Sequence, residues 1–179
     1  MQKKTVTSPG GLIIIKADFL KAAHRRAIGT LLAAYMQDPM GGGLQPLTRL
    51  KRQAMLRGLA ELPTTVVLLA FTGTRPIGMA ICFRGFSTFG AAALLNIHDL
   101  IVAKEFRGIG LGRRLLEEVE GLAKDLHCCK ITLEVRRDNR VARALYRSCG
   151  FSSGKEPMEF WTKRPAVIAR RKASLPRSP

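Results

Sequence analysis

The stretch Arg107-Gly108-Ile109-Gly110-Leu111-Gly112 places three alternating glycines between an apolar segment and an amphipathic one, within LIVAKEFRGIGLGRRLLEEVE at residues 100–120. Glycine is costly inside regular structure, so this pattern predicts a loop of bare backbone between a strand and a helix. A helix that begins after such a loop presents unpaired amides and the positive end of its dipole. The loop therefore favours an anion such as a phosphate or pyrophosphate.

The residues after the glycines exclude two phosphate-binding motifs. A Walker loop requires Gly-Lys-Ser/Thr, whereas Gly112 is followed by Arg113 and Arg114. The dinucleotide fingerprint G-x-G-x-x-G would require glycine at position 113, and it opens a βαβ domain, whereas these glycines follow a predicted hairpin past the middle of the chain. Taken alone, the glycines remain compatible with a plain tight turn.

The length of 179 residues and the hydrophobic content of 46% predict one compact domain. We expect this domain to span residues 11–163, with a disordered segment at 1–10 and a basic, flexible tail at 164–179. No apolar run approaches the 18 or more residues of a membrane helix, and no signal peptide is recognised at the N-terminus. These features predict a cytoplasmic protein without membrane contacts.

The net charge of +17 favours anionic ligands and raises the question of nucleic acid. Six basic residues and no acid fall within residues 163–179, where a solvated tail explains them. Aromatic residues make up only 6% of the chain, and no RNA-binding signature is present, so nucleic-acid binding is the less favoured interpretation. The four cysteines lack the spacing of zinc ligands, so no metal site is predicted.

The hydrophobic pattern predicts the element order β-α-α-β-β-β-α-β-α-β, which indicates a mixed sheet covered by helices. The first half of the chain is predicted to contain a strand at 12–17, a helix capped by Asp18, a helix at 47–62, and a hairpin of TTVVLLAF and PIGMAICF joined by TGTR. The second half is predicted to contain a strand at 93–102, the helix after the glycines, the strand KITLEV, a helix capped by Asp138 and closed by Gly150, and the strand MEFWTK.

Two blocks together resemble one family. The pattern R-x-x-G-x-G at Arg107, Gly110 and Gly112, which follows HDLIV, resembles the acetyl-CoA motif of the GNAT acyltransferase superfamily. TLEVRRDNRVARALYRSCGF at residues 132–151 resembles the strand–helix segment of that superfamily. The positions in register are Asn139, Ala142, Tyr146, Gly150 and Phe151. The resemblance covers roughly residues 64–163 well and the N-terminal third by pattern only.

The resemblance implies an α/β (α+β) GNAT fold, with a mixed central sheet of about six to seven strands and about four helices. It also implies transfer of acetyl from acetyl-CoA to a primary amine of a small-molecule or peptide acceptor, and it admits a homodimer. The positive charge suits coenzyme A independently. The residues implied in cofactor binding are Leu100, Ile101, Val102, Arg107, Gly108, Ile109, Gly110, Leu111, Gly112, Arg113, Asn139, Ala142 and Tyr146.

Tyr146 matches the general acid of the family, because a phenol with a pKa near 10 can donate a proton to the departing thiolate of coenzyme A. His98 and Asp99 are both candidates for the base that deprotonates the amine. They point to opposite faces if their strand is regular, and a bulge would alter that. The alternative, in which Asp99 orients a loop and His98 is packed, stays open.

The family builds its acceptor pocket from the first two helices, their loop and the hairpin region. This points to Tyr35, Asp38, Ser87 and Thr88 as acceptor-pocket residues. Few acidic residues lie in these segments, so a small neutral or zwitterionic amine is favoured over a polyamine. A non-catalytic acetyl-CoA-binding sensor or interaction protein is the alternative function, and an acyl group other than acetyl also stays open.

Overall fold

The computed structural model describes residues 6–8, 11–43, 45–154 and 159–163. Its strands are β1 (Val6–Ser8), β2 (Leu12–Lys16), β3 (Thr65–Thr72), β4 (Arg75–Ser87), β5 (Ala92–Val102) and β6 (Lys130–Leu133). Its α-helices are α1 (Ala22–Gln37), α2 (Arg49–Glu61), α3 (Leu111–Asp125) and α4 (Arg140–Ser148), and short 3-10 turns occupy Pro39–Gly41 and Lys104–Phe106.

The described strands form one six-stranded sheet in the order β1-β2-β3-β4-β5-β6. Neighbouring strands are antiparallel except for β5 and β6, which run parallel. The parallel pair follows from the chain's path, because α3 separates these two strands and returns the chain to the same end of the sheet. The mixed sheet flanked by four helices that the sequence predicted is confirmed.

The sheet carries a hydrophobic core on each face. The α3 core consists of the buried residues Ile14, Leu68, Ala70, Ile77, Ala80, Cys82, Leu95, Ile97, Leu111, Leu115, Leu116, Val119 and Ala123. The α1 core consists of the buried residues Ala27, Ile28, Leu31, Leu32, Val67, Leu69, Met79, Ile81 and Ile101. Residues of β3 alternate between the two cores, so its continuous apolar run reflects burial of both faces.

The predicted cap of the first helix is wrong. Helix α1 begins at Ala22, and its N-cap Lys21 forms no capping hydrogen bond through its side chain. Asp18 is used earlier in the chain, where its Oδ1 accepts a hydrogen bond from the Leu20 amide at 2.9 Å. Its own amide donates to Nδ1 of His24 at 2.9 Å. Asp18 therefore shapes the turn before α1 and does not cap the helix itself.

The predicted cap of the last helix is also wrong by one residue. Asn139 is the N-cap of α4, and its Oδ1 accepts a hydrogen bond from the Ala142 amide at 3.1 Å. The carboxylate of Asp138 instead pairs with the guanidinium of Arg136 at 2.6 Å. Gly150 ends this helix segment with a φ of +85°, as its position after the apolar pattern predicted.

The chain ends differ from the prediction in two ways. We expected residues 1–10 to be disordered, but Val6–Ser8 forms β1 and pairs with β2; the other residues of that segment lie outside the described part. The predicted strand MEFWTK is absent from the described residues 159–163, and Met158 and the tail at 164–179 lie outside them. Among the described residues, no helix is long and apolar enough to cross a membrane.

Candidate active site

The site begins where β5 and β6 separate. Their pairing runs from Leu94 opposite Lys130 to Ile97 opposite Leu133, where β6 ends. Strand β5 continues for five more residues, paired only with β4. A gap therefore opens beside the second half of β5, next to the loop that leads into α3.

The backbone of β5 is divided between β4 and this gap. The amide of Ala103 donates to the carbonyl of Ile77 at 2.9 Å, which fixes the hydrogen-bonding phase of the antiparallel pair. Because alternate residues of a strand bond to the same edge, Ile101 also faces β4, whereas Leu100 and Val102 present their amides and carbonyls to the gap. Leu100 is thus available through its amide and its carbonyl, and Val102 through its amide, since the Val102 carbonyl accepts a hydrogen bond from Nε of Arg107 at 3.1 Å.

The three glycines of the loop serve two distinct steric purposes. Gly108 and Gly110 have φ angles of +79° and +87°, which side chains other than glycine rarely permit. Gly112 lies in the first turn of α3, and a Cβ there would come within 2.9 Å of Cδ2 of Leu145 on α4. The glycines thus shape the loop and let α3 approach α4.

The loop presents a row of free amides. Within the described residues, we find no hydrogen bond to the protein from the amides of residues 108–113. They lead into the N-terminus of a 15-residue helix, whose N-cap Gly110 provides no side-chain cap. Free amides at the positive end of a helix dipole form an anion site, which fits the pyrophosphate of coenzyme A.

The guanidinium groups of the two arginines flanking this loop bond to the protein itself. Nε of Arg107 donates to the Val102 carbonyl at 3.1 Å, and its Nη2 donates to Oδ2 of Asp38 at 2.9 Å. Arg113 donates to the carbonyl and the hydroxyl of Ser148 at 3.2 and 2.7 Å. The loop therefore offers an anion its backbone amides, while these side chains fix the loop to its surroundings.

Helix α4 carries the predicted acid toward the gap. Tyr146 is half-buried, packs against the α3 core, and contacts the ring of Phe151 edge-on at 5.8 Å between centroids. Burial, and to a lesser degree the neighbouring Tyr35, raises the pKa of Tyr146 to about 12. The phenol therefore stays protonated at neutral pH and is able to donate. At the start of α4, the cap bond occupies Oδ1 of Asn139, which leaves its amide nitrogen as the group for a ligand.

A β-bulge sets the direction of the candidate bases. Ile81 lies opposite Asp99, but Cys82 lies opposite Ile97, so His98 is an extra residue in β5. Residues opposite each other in adjacent strands point to the same face. Since Ile81 belongs to the α1 core, Asp99 points to the α1 face.

His98 points to the same face as Asp99. Its ring packs against Phe83 at 5.3 Å between centroids, and Phe83 packs against the α1 core. The two residues would point apart in a regular strand, so the bulge brings both candidate bases to one face. Burial raises the pKa of Asp99, and the charge of His98 opposes this rise.

Tyr35 of α1 links the two faces electrostatically. Burial, then the charges of Asp99 and Asp38, raise the pKa of Tyr35. Tyr35 in turn raises the pKa of Tyr146, which belongs to the opposite face. Tyr35 is therefore close enough to both Asp99 and Tyr146 for its charge state to be coupled to each of them.

Two predicted acceptor-pocket residues lie elsewhere. Ser87 pairs with Ala92 at the far end of β5, and its buried Oγ accepts a hydrogen bond from the Gly90 amide at 3.2 Å. Thr88 belongs to the same turn. At about 3.3 Å per residue, this turn is roughly 20 Å along the strand from Asp99. Both residues shape the turn, and the structure does not place them beside Tyr35 and Asp38.

Sequence reasoning missed two charged residues near the gap. Glu134 follows the last residue of β6, and its Oε1 accepts a hydrogen bond from Nδ2 of Asn96 at 3.4 Å. Arg136 lies close enough to Tyr35 for its charge to lower the pKa of that phenol. Their position just after an apolar strand, where the chain leaves the sheet, could have identified both residues as candidates.

Parts of the sequence match known acetyltransferases. N-alpha-acetyltransferase RimI of Mycobacterium tuberculosis is 37% identical over 83 residues, which cover 45% of this chain and 51% of that protein. Thialysine N-epsilon-acetyltransferase of Caenorhabditis elegans is 33% identical over 78 residues, which cover 44% of this chain and 48% of that protein. The matches span about half the length of these relatives.

The fold is also that of solved acetyltransferases. The ribosomal-protein-alanine N-acetyltransferase from Brucella melitensis superposes with a TM-score of 0.66 at 16% identity, over 86% of this chain and 98% of that one. An aminoglycoside acetyltransferase from an uncultured soil metagenomic sample gives 0.73 at 13% identity, over 88% and 99%. The model of the Acetyltransferase (GNAT) family matches residues 30–151. This match covers most of the chain and includes the gap, the glycine loop and α4, so the chain belongs to the GNAT acetyltransferase family.

Proposed function

We propose that this chain transfers the acetyl group of acetyl-CoA to a primary amine by direct attack of the amine within a ternary complex. The observation that carries the proposal is the gap between β5 and β6, which opens onto the free amides of residues 108–113. Tyr146 borders this gap from the α3 face, and Asp99 borders it from the α1 face. One cofactor and one amine can therefore meet between an acid and a base.

The residues present fit the cofactor. The backbone groups of Leu100 and Val102 match the amides of the pantetheine arm, and the amides of residues 108–113 match its pyrophosphate. The side-chain nitrogen of Asn139 is a further donor at the start of α4. Bound acetyl-CoA supplies an acetyl group activated as a thioester.

Each end of the reaction has a group that can give or take a proton. Tyr146, whose pKa is raised to about 12, holds the proton that the departing thiolate sulfur takes. Asp99, whose pKa burial raises, accepts a proton from the ammonium group of the acceptor, directly or through a water, and the neutral amine then attacks the thioester carbonyl. His98 on the same face is the second candidate base, and Glu134 beside the gap is a third.

The relatives suggest which acceptors to test first. RimI is named for N-alpha acetylation, and the thialysine enzyme for N-epsilon acetylation. Tyr35 lies near the carboxyl groups of Asp38 and Asp99. Because Asp38 is paired with Arg107, the carboxyl group of Asp99 is left to attract a single ammonium group. We therefore propose an acceptor with one primary amine, carried by a small zwitterionic molecule or by a peptide.

The decisive experiment measures thiol release from acetyl-CoA with a panel of amines: peptides with free N-termini, thialysine, lysine and an aminoglycoside. We expect transfer to at least one of the first three. A thermal shift with coenzyme A tests the binding half separately, because a ligand that binds the folded state raises Tm. Stabilisation by coenzyme A without transfer to any amine would contradict catalysis and favour the acetyl-CoA sensor.

A further inference from the structure

A basic groove lies between α1 and α2, away from the gap. Its volume is about 420 Å³, and it is lined by Ala22, Arg25, Arg26 and Thr30 of α1 and by Arg52 and Leu56 of α2. Three of its six lining residues are arginines, and none is acidic. A concave site with one sign of charge concentrates ions of the opposite sign.

Two arginines of this groove are held in place by α1 and the turn before it. Nη1 of Arg25 donates to the carbonyls of Phe19 and Leu20 at 2.5 and 2.8 Å. Arg52 lies across α1 at Gly29, where a Cβ would come within 3.1 Å of Cδ of the arginine. The missing side chain at Gly29 therefore lets the stem of Arg52 rest on α1, and its guanidinium is directed by packing.

Two arginines of the groove keep a positive charge that no acidic residue of the described chain neutralises. Among the described residues, neither Arg26 nor Arg52 forms an ion pair, and both are exposed. A guanidinium binds a carboxylate in a planar, two-point arrangement. The groove is therefore complementary to a segment that carries carboxylates.

We propose that the groove binds an acidic segment of a polypeptide acceptor, which makes it a second contact point for the substrate of the proposed acetyl transfer. This inference rests on the proposed function. Single-stranded nucleic acid is the poorer fit, because its binding also uses aromatic side chains for base stacking and none of the described residues that line the groove is aromatic. The exposed aromatic residues of the described chain lie in the β4–β5 turn region and in residues 159–163 instead, as Phe86, Phe89, Phe160 and Trp161.

The length of α1 sets the position of the acidic residues. Arg26 precedes Tyr35 by nine residues, which corresponds to about 13 Å along the helix axis and to about half a turn around it. An extended polypeptide needs about four residues for the axial distance, at about 3.3–3.6 Å each, and about two more to pass around a helix roughly 10–12 Å wide. The groove therefore selects acceptors with Asp or Glu about four to six residues from the amine that is acetylated.

Steady-state acetylation of two peptides tests this selection. The peptides share one free amine and differ only in Glu or Gln at positions 4–6 from it. We expect KM to be about tenfold lower for the Glu peptide, with similar kcat. The double variant Arg26→Glu, Arg52→Glu should abolish this difference while leaving transfer to a small amine unchanged. Arg84→Glu, which changes an exposed arginine of β4 outside the groove, should preserve it.

Fluorescence anisotropy of the labelled peptides, without acetyl-CoA, separates the two proposals. Tighter binding of the Glu peptide to the wild type but not to the double variant supports the groove even if no amine is acetylated, an outcome that would reject only the proposed function. Equal KM and equal binding of both peptides would overturn the groove proposal. So would displacement of the Glu peptide by a single-stranded oligonucleotide at a lower concentration than by unlabelled Glu peptide. A milder pair, Arg26→Gln with Arg52→Gln, serves if charge reversal lowers Tm.

Discussion

The two faces of the sheet are covered by helices that are attached very differently. On one face, α3 buries Leu111, Leu115, Leu116, Val119 and Ala123. On the other face, α1 also buries five residues, but α2 is nearly as long as α3 and buries none, and its Leu50 is 78% exposed. Regions with few buried apolar contacts open at low free energy. We call the face of α3 and the glycine loop the cofactor side and the face of α1 and α2 the acceptor side. Both sides have a well-packed helix on the sheet, and α2 is the adaptable element of the acceptor side.

This difference matches what each side must recognise. Acetyl-CoA is one fixed molecule, so a preformed loop at the start of a well-packed helix suits it. Acceptors vary between related enzymes, and a loosely packed helix tolerates change at small cost in stability. The ion pair between Arg107 and Asp38 ties the glycine loop to the end of α1, so the two sides are not independent.

Removing one leucine from each helix tests the comparison most strongly. Leu115 is fully buried in the α3 core, and Leu115→Ala should lower the free energy of unfolding by about 2–5 kcal/mol. Leu50→Ala on α2 should change it by about 0.5 kcal/mol or less, because the side chain is already in water. Urea unfolding followed by circular dichroism measures both values. Equal losses would show that the two helices are attached with similar strength.

Tyr146→Phe tests whether the cofactor side also supplies the acid. We expect kcat to fall about 10–10³-fold with little change in KM for acetyl-CoA, because acid catalysis contributes about 10²–10⁴-fold and the ring packing on Phe151 is retained. Tyr35→Phe, on the acceptor side of the gap, is the matched control and should act mainly on KM for the amine. An unchanged kcat in folded Tyr146→Phe would remove the acid role.

Much of the cofactor side could be predicted from the sequence, because its backbone geometry requires glycine at particular positions. Gly108 and Gly110 are needed for positive φ angles and Gly112 for close helix packing, and such needs leave a fixed pattern in the chain. The family resemblance then added the proposed role of Tyr146. The apolar run at 93–102 predicted the bounds of β5 to within one residue, but it did not predict the bulge, because the residue types around His98 do not reveal an extra residue.

The acceptor side was poorly predicted for a physical reason. Its contacts join residues far apart in sequence, such as Asp38 with Arg107, and no short pattern encodes them. Ser87 and Thr88 were chosen by their place in the hairpin region, but β4 and β5 are long enough to carry that turn away from the gap. The residue types of Asp18 and Asp138 predict helix caps, but both side chains bond to other nearby groups instead.

We expect Asp99 to set the pH dependence of transfer. Because burial raises its pKa, we expect kcat/KM to fall about tenfold per pH unit once the pH drops below that pKa, which lies above the usual range for aspartate. The stability effect has the opposite sign. The folded state favours the protonated carboxyl of Asp99. The stabilisation that this group gives is therefore largest below its pKa in the unfolded state, and it is lost as the pH rises through its pKa in the folded state.

Asp99→Asn separates these two effects. The variant should lose the acid limb of the pH–rate profile together with most of its activity. It should also be more stable than the wild type near neutral pH, and this advantage should vanish in acid, where both side chains are uncharged. If the acid limb persists in Asp99→Asn and disappears in Glu134→Gln, the base is Glu134 and the assignment of Asp99 is wrong.

The smallest effect is expected where the two sides meet, at the pair of Arg107 and Asp38. Asp38 has a lowered pKa because its carboxylate accepts the Met40 amide and also pairs with Arg107. Asp38→Asn retains an oxygen for the Met40 amide at 2.9 Å, so it removes the charge and leaves the turn intact. An exposed ion pair contributes about 0.2–1 kcal/mol, so KM for acetyl-CoA should rise only about two- to fivefold, with kcat unchanged.

The direction of that change decides what the pair does. If Asp38 holds Arg107 against the Val102 carbonyl and so keeps the glycine loop in its binding shape, losing the charge weakens cofactor binding. If Asp38 instead withholds Arg107 from the phosphates, the same variant binds coenzyme A more tightly, and KM falls. Since the pair is partly exposed, 0.5 M salt should mimic the variant in the wild type and have little further effect in Asp38→Asn. Isothermal titration with coenzyme A at two salt concentrations distinguishes these two cases. Weaker binding by Asp38→Asn means that Asp38 supports the glycine loop, and tighter binding means that Asp38 competes with the phosphates for Arg107.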